Sequence, residues 1–358
     1  MKNYVFIFSL FLCNILFCQD FHFSQFNENP SLLNPALCGA SSTVRASMVY
    51  KSQWKSVTTP YTTYGFSFDA KFKASNWEQV DPKRSMIFTK SHSRMAGGLS
   101  VYNDKAGDSK MGTLQANLSF AMSFPLNKHS SLALGLQGTT VQRKIDNTKL
   151  IYPNQYNGSG FDSNLPTGEN YSQQNFSYPE LGAGILWSYG HGEKSIAAND
   201  QVKALIGFST YHINQPRQKF IGGSNERLYR KYVFHGNILV GIPNSMFAIV
   251  PSWLVQLQGT SKEIIAGTMV KYYMKDDSKY TGIIKRSSIG LGVYYRNADA
   301  VIASILIETG KYAVGFSYDI NASGLTTVSK ARGGFEINLK FVTPAAYLYQ
   351  RKSKAMFN

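Results

Sequence analysis

The sequence of 358 residues has little charge, only three cysteines and no long apolar run beyond its first twenty residues. Charged residues make up 16% of the chain, whereas soluble domains carry roughly 25%. A typical soluble enzyme is therefore not expected. Three cysteines do not form a disulfide scaffold. Because no run of 18 or more apolar residues follows the N-terminus, no transmembrane helix is predicted.

Aromatic residues, by contrast, are abundant. The chain has 22 Tyr, 23 Phe and 4 Trp, which supply the apolar surface that a disordered chain lacks. Its charges are unbalanced, because 37 Lys and Arg against 21 Asp and Glu give a net charge of +16. Such an excess indicates contact with nucleic acid, with an anionic membrane surface or with an acidic partner protein.

Residues 1–18 are typical of a secretory signal peptide. Lys2 precedes an apolar run from Tyr4 to Leu12, and Cys18 precedes polar residues. The run is shorter than the ~20 residues of a spanning helix. We expect cleavage after Cys18, with lipidation of Cys18 as the alternative. After cleavage of the signal peptide, Cys38 would be the one cysteine that remains. Export also argues against a nucleic-acid partner.

The remaining chain predicts an all-β fold, because segments of about ten residues alternate apolar and polar side chains with a period of two. Residues 64–72 illustrate this pattern, with Tyr64, Phe66 and Phe68 on one face and Gly65 and Ser67 on the other. We predict fourteen strands, at 43–53, 61–73, 95–103, 112–124, 130–143, 179–190, 201–212, 228–241, 246–257, 261–273, 287–296, 299–308, 311–320 and 332–342. Pro251 predicts a bulge or bend in its strand.

Alternation alone fits a soluble sandwich as well as a membrane barrel. Three features favour a transmembrane antiparallel β-barrel: export, aromatic residues near strand ends, and an opposite face rich in Gly, Ser, Asn and Gln. We therefore divide the chain into a signal peptide (1–18), an N-terminal plug or lead-in segment (19–42), an outer-membrane barrel (43–344) and a periplasmic tail (345–358). Long connections at 144–178 and 213–227 are predicted to be extracellular, whereas the long connection at 74–94 breaks this pattern.

Several short stretches together resemble the PorP/SprF family of outer-membrane proteins of the type IX secretion system. Two are His22-Phe23-Ser24-Gln25-Phe26, with Leu33-Asn34-Pro35-Ala36, and Tyr102-Asn103-Asp104-Lys105-Ala106-Gly107, with Gln115-Ala116-Asn117. Further stretches are Gly135-Leu136-Gln137 with Gln142-Arg143, Tyr211-His212-Ile213-Asn214-Gln215-Pro216, Phe316-Ser317-Tyr318-Asp319 and Gly333-Gly334-Phe335-Glu336. They extend over nearly the whole exported chain.

The resemblance implies a barrel related to the fourteen-stranded FadL-like transporters of long-chain fatty acids. It also implies a role in type IX secretion and gliding, in which the protein helps to secrete a large adhesin and anchors it at the cell surface. The implied partners are the adhesin's C-terminal sorting domain and other secretion components. The alternative function is a FadL-like transporter of a hydrophobic small molecule, and a third is an outer-membrane hydrolase.

Three sets of residues are candidate sites. Asn34, Pro35 and Ala36 are predicted to face the lumen within a plug, although a periplasmic lead-in would also fit this segment. Aromatic residues in the 144–178 loop are predicted to bind an extracellular partner or to form a lid: Tyr152, Tyr156, Phe161, Tyr171 and Phe176. Asn103, Asp104 and Lys105 are predicted to form a tight extracellular turn with the same binding role.

Neither catalysis nor a cofactor is expected. The six histidines lack the close spacing of a zinc site, and there is no nucleophile-elbow pattern. A calcium loop at 103–108 would need alternating carboxylates and a terminal Glu that are not present, so we expect no metal. Lys and Arg near strand ends are predicted to contact anionic outer-membrane lipid and lipopolysaccharide, or an acidic partner domain.

Overall fold

The computed structural model describes residues 22–40, 42–55, 59–72, 94–107, 111–127, 129–145, 150–168, 175–191, 199–218, 227–275, 287–323 and 326–343. The expected signal peptide, most of the connection at 74–94, Tyr171 and the tail at 345–358 lie outside these residues. No helix in the described part of the chain is both long and apolar enough to cross a membrane.

Fourteen antiparallel strands of the described residues close into a barrel, in which sequential strands pair and the first strand pairs with the last. They are β1 Val44–Gln53, β2 Tyr61–Lys71, β3 Arg94–Ala106, β4 Met111–Pro125, β5 Ser130–Lys144, β6 Asn175–His191, β7 Val202–Tyr211, β8 Lys231–Gly241, β9 Phe247–Gln258, β10 Ser261–Lys275, β11 Ser287–Arg296, β12 Ala300–Thr309, β13 Tyr312–Asn321 and β14 Arg332–Thr343. The predicted number of strands and the closed antiparallel barrel are confirmed.

The two faces of the wall differ in composition along every strand. On β5, Leu134 and Leu136 point outward and are exposed, whereas Gln137 and Thr139 point inward and are buried. This separation follows from the two-residue period of a strand. The outer face presents apolar side chains, as a barrel surrounded by lipid requires.

Two ends of the barrel can be distinguished. β1 begins and β14 finishes at one end, which we call the terminal end. The other end, which we call the loop end, is where β5 connects to β6 and β7 connects to β8 through the long connections. Membrane barrels have short periplasmic turns and longer extracellular loops, which assigns the loop end to the extracellular side.

The inward face also has two different sides. Across β1 to β5 it is polar, with hydrogen bonds such as Ser47 to Ser67 (2.7 Å) and Asn117 to Ser100 (2.9 Å). Across β8 to β12 it carries large buried apolar side chains beside the charged Glu263 and Arg296, and we call these apolar side chains the apolar wall: Val233, Leu254, Ile265, Tyr294 and Ile302. The apolar wall belongs to the cluster with the most members among the described residues, and smaller buried clusters lie on the other side, around Val49 with Tyr102 and around Ala96 with Ala121.

The structure corrects one strand prediction. The pairing of β9 with β10 keeps its register through Pro251, which lies opposite Thr268. β9 also pairs with β8 on both sides of Pro251. Ser252 lies opposite Asn237 and Ile249 lies opposite Val240, so the register is the same before and after the two positions that are not paired. A bulge, the first of the two predicted irregularities, is therefore absent from the described ladder, and a bend at Pro251 stays a prediction. Proline has no backbone N–H to donate, so it weakens the ladder without inserting a residue.

Candidate functional site: the lumenal segment and the loop end

Residues 22–40 lie against the inward faces of strands around the barrel, and we call them the lumenal segment. They form 3-10 turns at Phe26–Glu28 and Pro35–Leu37 on either side of one short helix, α1, Pro30–Leu33. Each proline begins one of these pieces, because its fixed φ suits a first helical position. Asn34 caps the second 3-10 turn, since its Oδ1 accepts a hydrogen bond from the Ala36 N–H at 2.9 Å.

A charged cluster holds the segment near the loop end. The Glu336 carboxylate accepts hydrogen bonds from the backbone N–H groups of Ser24 (2.8 Å) and Gln25 (3.1 Å). The Ser24 hydroxyl donates to Asp319 at 2.8 Å and accepts from Arg296 at 2.9 Å. These residues are all buried, so each charge depends on its partners for stabilisation.

Arg296 is the centre of this cluster. Its guanidinium lies 3.1 Å from Asp319, 2.9 Å from Asp299 and 3.4 Å from Glu263. The neighbouring Lys51 ammonium donates to the His22 carbonyl at 2.9 Å. Burial, and then the positive charges of Lys51 and Arg296, lower the pKa of His22 well below its ordinary value, so the ring is neutral at pH 7.

Asn34 fixes the middle of the segment. Its side-chain amide donates to the backbone carbonyls of Ile185 (2.9 Å) on β6 and Phe208 (3.2 Å) on β7, and it lies 3.2 Å from Nε2 of His235 on β8. Asn34 is fully buried. One side chain therefore links the segment to three consecutive strands.

Inward-facing glycines make this close approach possible. A Cβ atom at Gly184 would lie within 3.0 Å of the Asn34 side chain, and one at Gly135 would meet the backbone of Ala36 at a similar distance. Gly315 is likewise filled by the side chain of Gln25. We call Gly135, Gly184 and Gly315 the glycine notches. Their shape indicates that the barrel wall is fitted to this segment rather than to a solvent-filled channel.

A second polar contact holds the segment at the terminal end. Asp69 accepts hydrogen bonds from Arg45 (2.7 Å) and from the Gly39 N–H (2.8 Å), and Arg45 also donates to the Leu37 carbonyl at 3.2 Å. The Cys38 thiol is buried beside them. Burial, and then the negative charge of Asp69, raise the pKa of Cys38 to about 12, so it stays protonated at neutral pH.

Apolar side chains of the segment pack on the apolar wall. Phe26, Leu33 and Leu37 belong to the same buried cluster as the wall. The rings of Phe26 and Tyr294 meet edge to face, with centroids 6.1 Å apart. Burying a side chain of this size contributes roughly 1.5–3 kcal/mol. The packing explains why a segment rich in Phe and Leu lies inside the barrel.

The sequence analysis named some of the residues that make lumenal contacts and missed others. Asn34, Pro35 and Ala36 lie against Gly135 and Gly184, on the inward face. The partners of Ser24 and Gln25 were not anticipated. Their signal was present, since Arg296 and Asp319 are inward-facing charged residues of otherwise neutral strands, and Glu336 is an inward-facing acid of β14.

At the loop end, the β5–β6 connection has an ordered tip. Gln155 is buried and bridges the loop, because its side chain accepts from the Tyr152 N–H at 3.2 Å and donates to the Leu165 carbonyl at 3.2 Å. Tyr156 and Phe161 face each other across an isolated antiparallel bridge. They are 62% and 50% exposed. The tip therefore presents two aromatic side chains to solvent on a fixed backbone.

Two predictions about the loop end are wrong. Asn103, Asp104 and Lys105 are not a turn, because β3 continues to Ala106, and Asp104 faces the lumen, where it accepts from Thr63 Oγ1 at 2.6 Å. Phe176 is not in the loop, because β6 begins at Asn175. Its ring stacks on Tyr178 on the inward face, with centroids 5.8 Å apart. Both strands continue because their backbones pair with β4 and β5 beyond the apolar region. Tyr171 lies outside the described residues.

Comparisons with known proteins gave a family match and several structural matches. A family model described as "Type IX secretion system membrane protein PorP/SprF" matches residues 15–341. A search of curated proteins found no match.

Three solved structures illustrate the similar barrels. BamA from Haemophilus ducreyi lacking POTRA domains 1–3 is 11% identical, with a TM-score of 0.40; the match covers 84% of this chain and 70% of that one. The β domain of the Bordetella autotransporter BrkA is 8% identical, with a TM-score of 0.35 and coverage of 84% and 99%. The siderophore receptor PirA from Acinetobacter baumannii is 9% identical, with a TM-score of 0.32 and coverage of 78% and 43%.

Proposed function

The chain belongs to the PorP/SprF family of type IX secretion system membrane proteins, and we propose that it helps to secrete a cell-surface adhesin and anchors that adhesin by binding its C-terminal domain. As a family member it is an outer-membrane β-barrel, and other components of the secretion system are its partners. The proposal requires binding and membrane anchorage and no chemical step. A contribution to gliding motility would follow from the adhesin's presence at the surface.

The observation that carries the proposal is the exposed aromatic tip of the β5–β6 connection. The side chains of Tyr156 and Phe161 are at least half exposed. The backbone of the same loop is held by the hydrogen bond from the Gln155 side chain to the Leu165 carbonyl. Aromatic side chains on a rigid backbone bind partners at low entropic cost, and Tyr and Phe are enriched in the cores of interfaces. The tip belongs to a connection at the loop end, which is the side on which a secreted domain would emerge.

The filled lumen favours a function in anchoring the adhesin over a function as the channel through which the adhesin crosses the membrane. The lumenal segment has polar contacts at both ends of the barrel and apolar contacts between them. A polypeptide could pass through this barrel only if these contacts were broken. We therefore propose that the segment acts as a permanent plug, and that the adhesin crosses the membrane elsewhere in the secretion system before this barrel retains it.

The alternative function, transport of a hydrophobic small molecule, has less support. Such a transporter needs an apolar pocket that is open to ligand. In the described residues, the apolar wall is covered by Phe26, Leu33 and Leu37, and the opposite side of the lumen is polar. Acyl-chain density inside the purified barrel would reverse this preference.

The test replaces the two exposed aromatics. We expect Tyr156→Ser with Phe161→Ser to reduce adhesin retention at the cell surface, measured by antibody labelling of intact cells and by co-purification of the adhesin's C-terminal domain. Tyr229→Ser is the matched control, because Tyr229 is an exposed aromatic in a different loop-end connection. Loss of about 2 kcal/mol at each anchor residue would weaken binding about thirtyfold per residue, and on the order of a thousandfold for the double variant if the two losses add.

The result has two clear readings. Reduced labelling and reduced co-purification in the double variant, with normal values for Tyr229→Ser, support the tip as the binding site. Unchanged adhesin retention in the double variant, with normal amounts of barrel in the outer membrane, would exclude it.

A further inference from the structure

Two lysines flank a glycine on the outward face of the barrel, at the loop end. Lys105 on β3 pairs with Gly112 on β4, and Gly112 pairs with Lys144 on β5. Directly paired residues of antiparallel strands have their side chains on the same face. Because neighbouring strands lie ~4.8 Å apart, the two lysine Cα atoms are about 10 Å apart with no side chain between them.

The rows below these lysines change from polar to apolar. One row nearer the membrane centre, Asn103 and Gln142 flank Leu114. The next outward row has Val101 and Ala116, and the one after it has Leu99 and Leu118. Positive charges, then amide groups, then aliphatic side chains follow one another at about 7 Å per row, over about 20 Å of strand from Lys105 to Leu99. This is the order of groups in a phosphorylated lipid, from its headgroup to its acyl chains.

The paired lysines with a row of amides below them lie on this side of the barrel. At the loop end of three opposite strands, the last outward positions are aromatic or aliphatic: Tyr232 and Phe234 on β8, Tyr295 and Val293 on β11, and Ile320 and Tyr318 on β13. On β10 the last outward position is a single lysine, Lys262, which pairs with Leu257 on β9. Both lysines are exposed, and neither forms an ion pair with another described residue. The two charges are thus available to an external anion.

We propose that Lys105 and Lys144, with the amides of Asn103 and Gln142, bind a phosphate group of lipopolysaccharide in the outer leaflet. Two ammonium groups on flexible stems can approach one phosphate from opposite sides, and lysine binds phosphate as a point charge. The side chains point toward the surrounding bilayer rather than upward toward solvent. That direction favours a lipid over a secreted protein. The site is separate from the aromatic tip and does not depend on the adhesin.

The test measures lipopolysaccharide binding to full-length protein purified from outer membranes in mild detergent. The variant is Lys105→Gln with Lys144→Gln, and the probe is purified lipopolysaccharide titrated by native mass spectrometry. Loss of both lysines should weaken binding about thirtyfold. The charge-matched control is Lys262→Gln with Lys330→Gln, which removes two exposed lysines from other parts of the loop end. It should stay within about threefold, because distant charges are screened.

Three further arms identify the ligand. Lysine-to-arginine replacement at both positions should retain binding, which also shows that loss in the glutamine variant is not misfolding. Dephosphorylated lipopolysaccharide should bind wild type as weakly as intact lipopolysaccharide binds the glutamine variant. Phosphatidylglycerol and inorganic phosphate should compete poorly.

Any of four results would overturn the site. These are unchanged binding in the glutamine variant, an equal loss in the control variant, equal affinity for dephosphorylated lipopolysaccharide, and full competition by phosphatidylglycerol or inorganic phosphate. Each of these results leaves adhesin retention unaffected, so the two proposals fail independently.

Discussion

The inner and outer faces of the barrel wall belong to the same strands but have different neighbours. On β12, Ile302 points inward and is completely buried, whereas Ile305 points outward and is 44% exposed. Lipid can adjust to any apolar side chain, so the outward residue needs only to be hydrophobic. The inward residue contacts a fixed set of protein atoms. The inner face should therefore tolerate far fewer substitutions than the outer face.

The largest effect is expected where the inner face carries charge. Replacement of Arg296 by Met should destabilise the barrel by about 3–5 kcal/mol, because it leaves Asp319 and Glu263 buried without their cation. Urea-induced unfolding in lipid vesicles measures this change. Lys262→Met removes an exposed charge from the outer face of β10 and should change stability by less than about 1 kcal/mol. Similar losses for both variants would contradict the proposed difference between the faces.

The two isoleucines of β12 give the next comparison. Ile302→Ala should cost about 2–5 kcal/mol, since it leaves a cavity in the apolar wall against the lumenal segment. Ile305→Ala removes the same atoms from a surface where lipid fills the space. It should cost about 2 kcal/mol, the transfer term of three carbon groups without the additional cavity term expected at Ile302. The same unfolding measurement applies, and an Ile305→Ala loss as large as that of Ile302→Ala would mean that lipid does not compensate.

Glycines provide a comparison in which side-chain size is added rather than removed. Gly184→Val would force the wall against Asn34, whereas Gly138→Val on the outward face of β5 meets no atom within 4 Å. Overpacking of this kind costs about 1–3 kcal/mol. We expect Gly184→Val to expose the lumenal segment to added protease, with cleavage mapped by mass spectrometry. Gly138→Val should remain as resistant as wild type. Cleavage in neither variant would show that the segment tolerates crowding.

The comparison also shows what the sequence could predict. Most of the fourteen strands followed from alternation, because lipid imposes apolar residues on every second position; β12 alternates poorly, since Ile302 and Leu306 on its inward face are apolar as well. The ends of β3 and β6 did not follow, because their outward residues Asn103, Lys105, Asn175 and Ser177 are polar, in strands that continue beyond the apolar region. The pairing of the lumenal segment with particular strand residues did not follow either, since Asn34 meets Ile185 across 151 residues and Gln25 meets Glu336 across 311 residues. Such pairings depend on closure of the barrel, which local patterns do not specify.

The smallest effect is expected from Asn34→Ala, which tests whether one amide holds the middle of the lumenal segment. The variant loses hydrogen bonds to Ile185 and Phe208, but both carbonyls are backbone groups of paired strands and water can enter the vacated polar space. A cost of about 1 kcal/mol is therefore expected. It should raise the maleimide labelling rate of Cys38 about fivefold, since the thiol is buried and its pKa of about 12 keeps it unreactive while the segment is in place. Gly138→Val should label at the wild-type rate. Rapid labelling of wild type at pH 7 would mean that the segment leaves the lumen readily, and the inner face would then be no more constrained than the outer one.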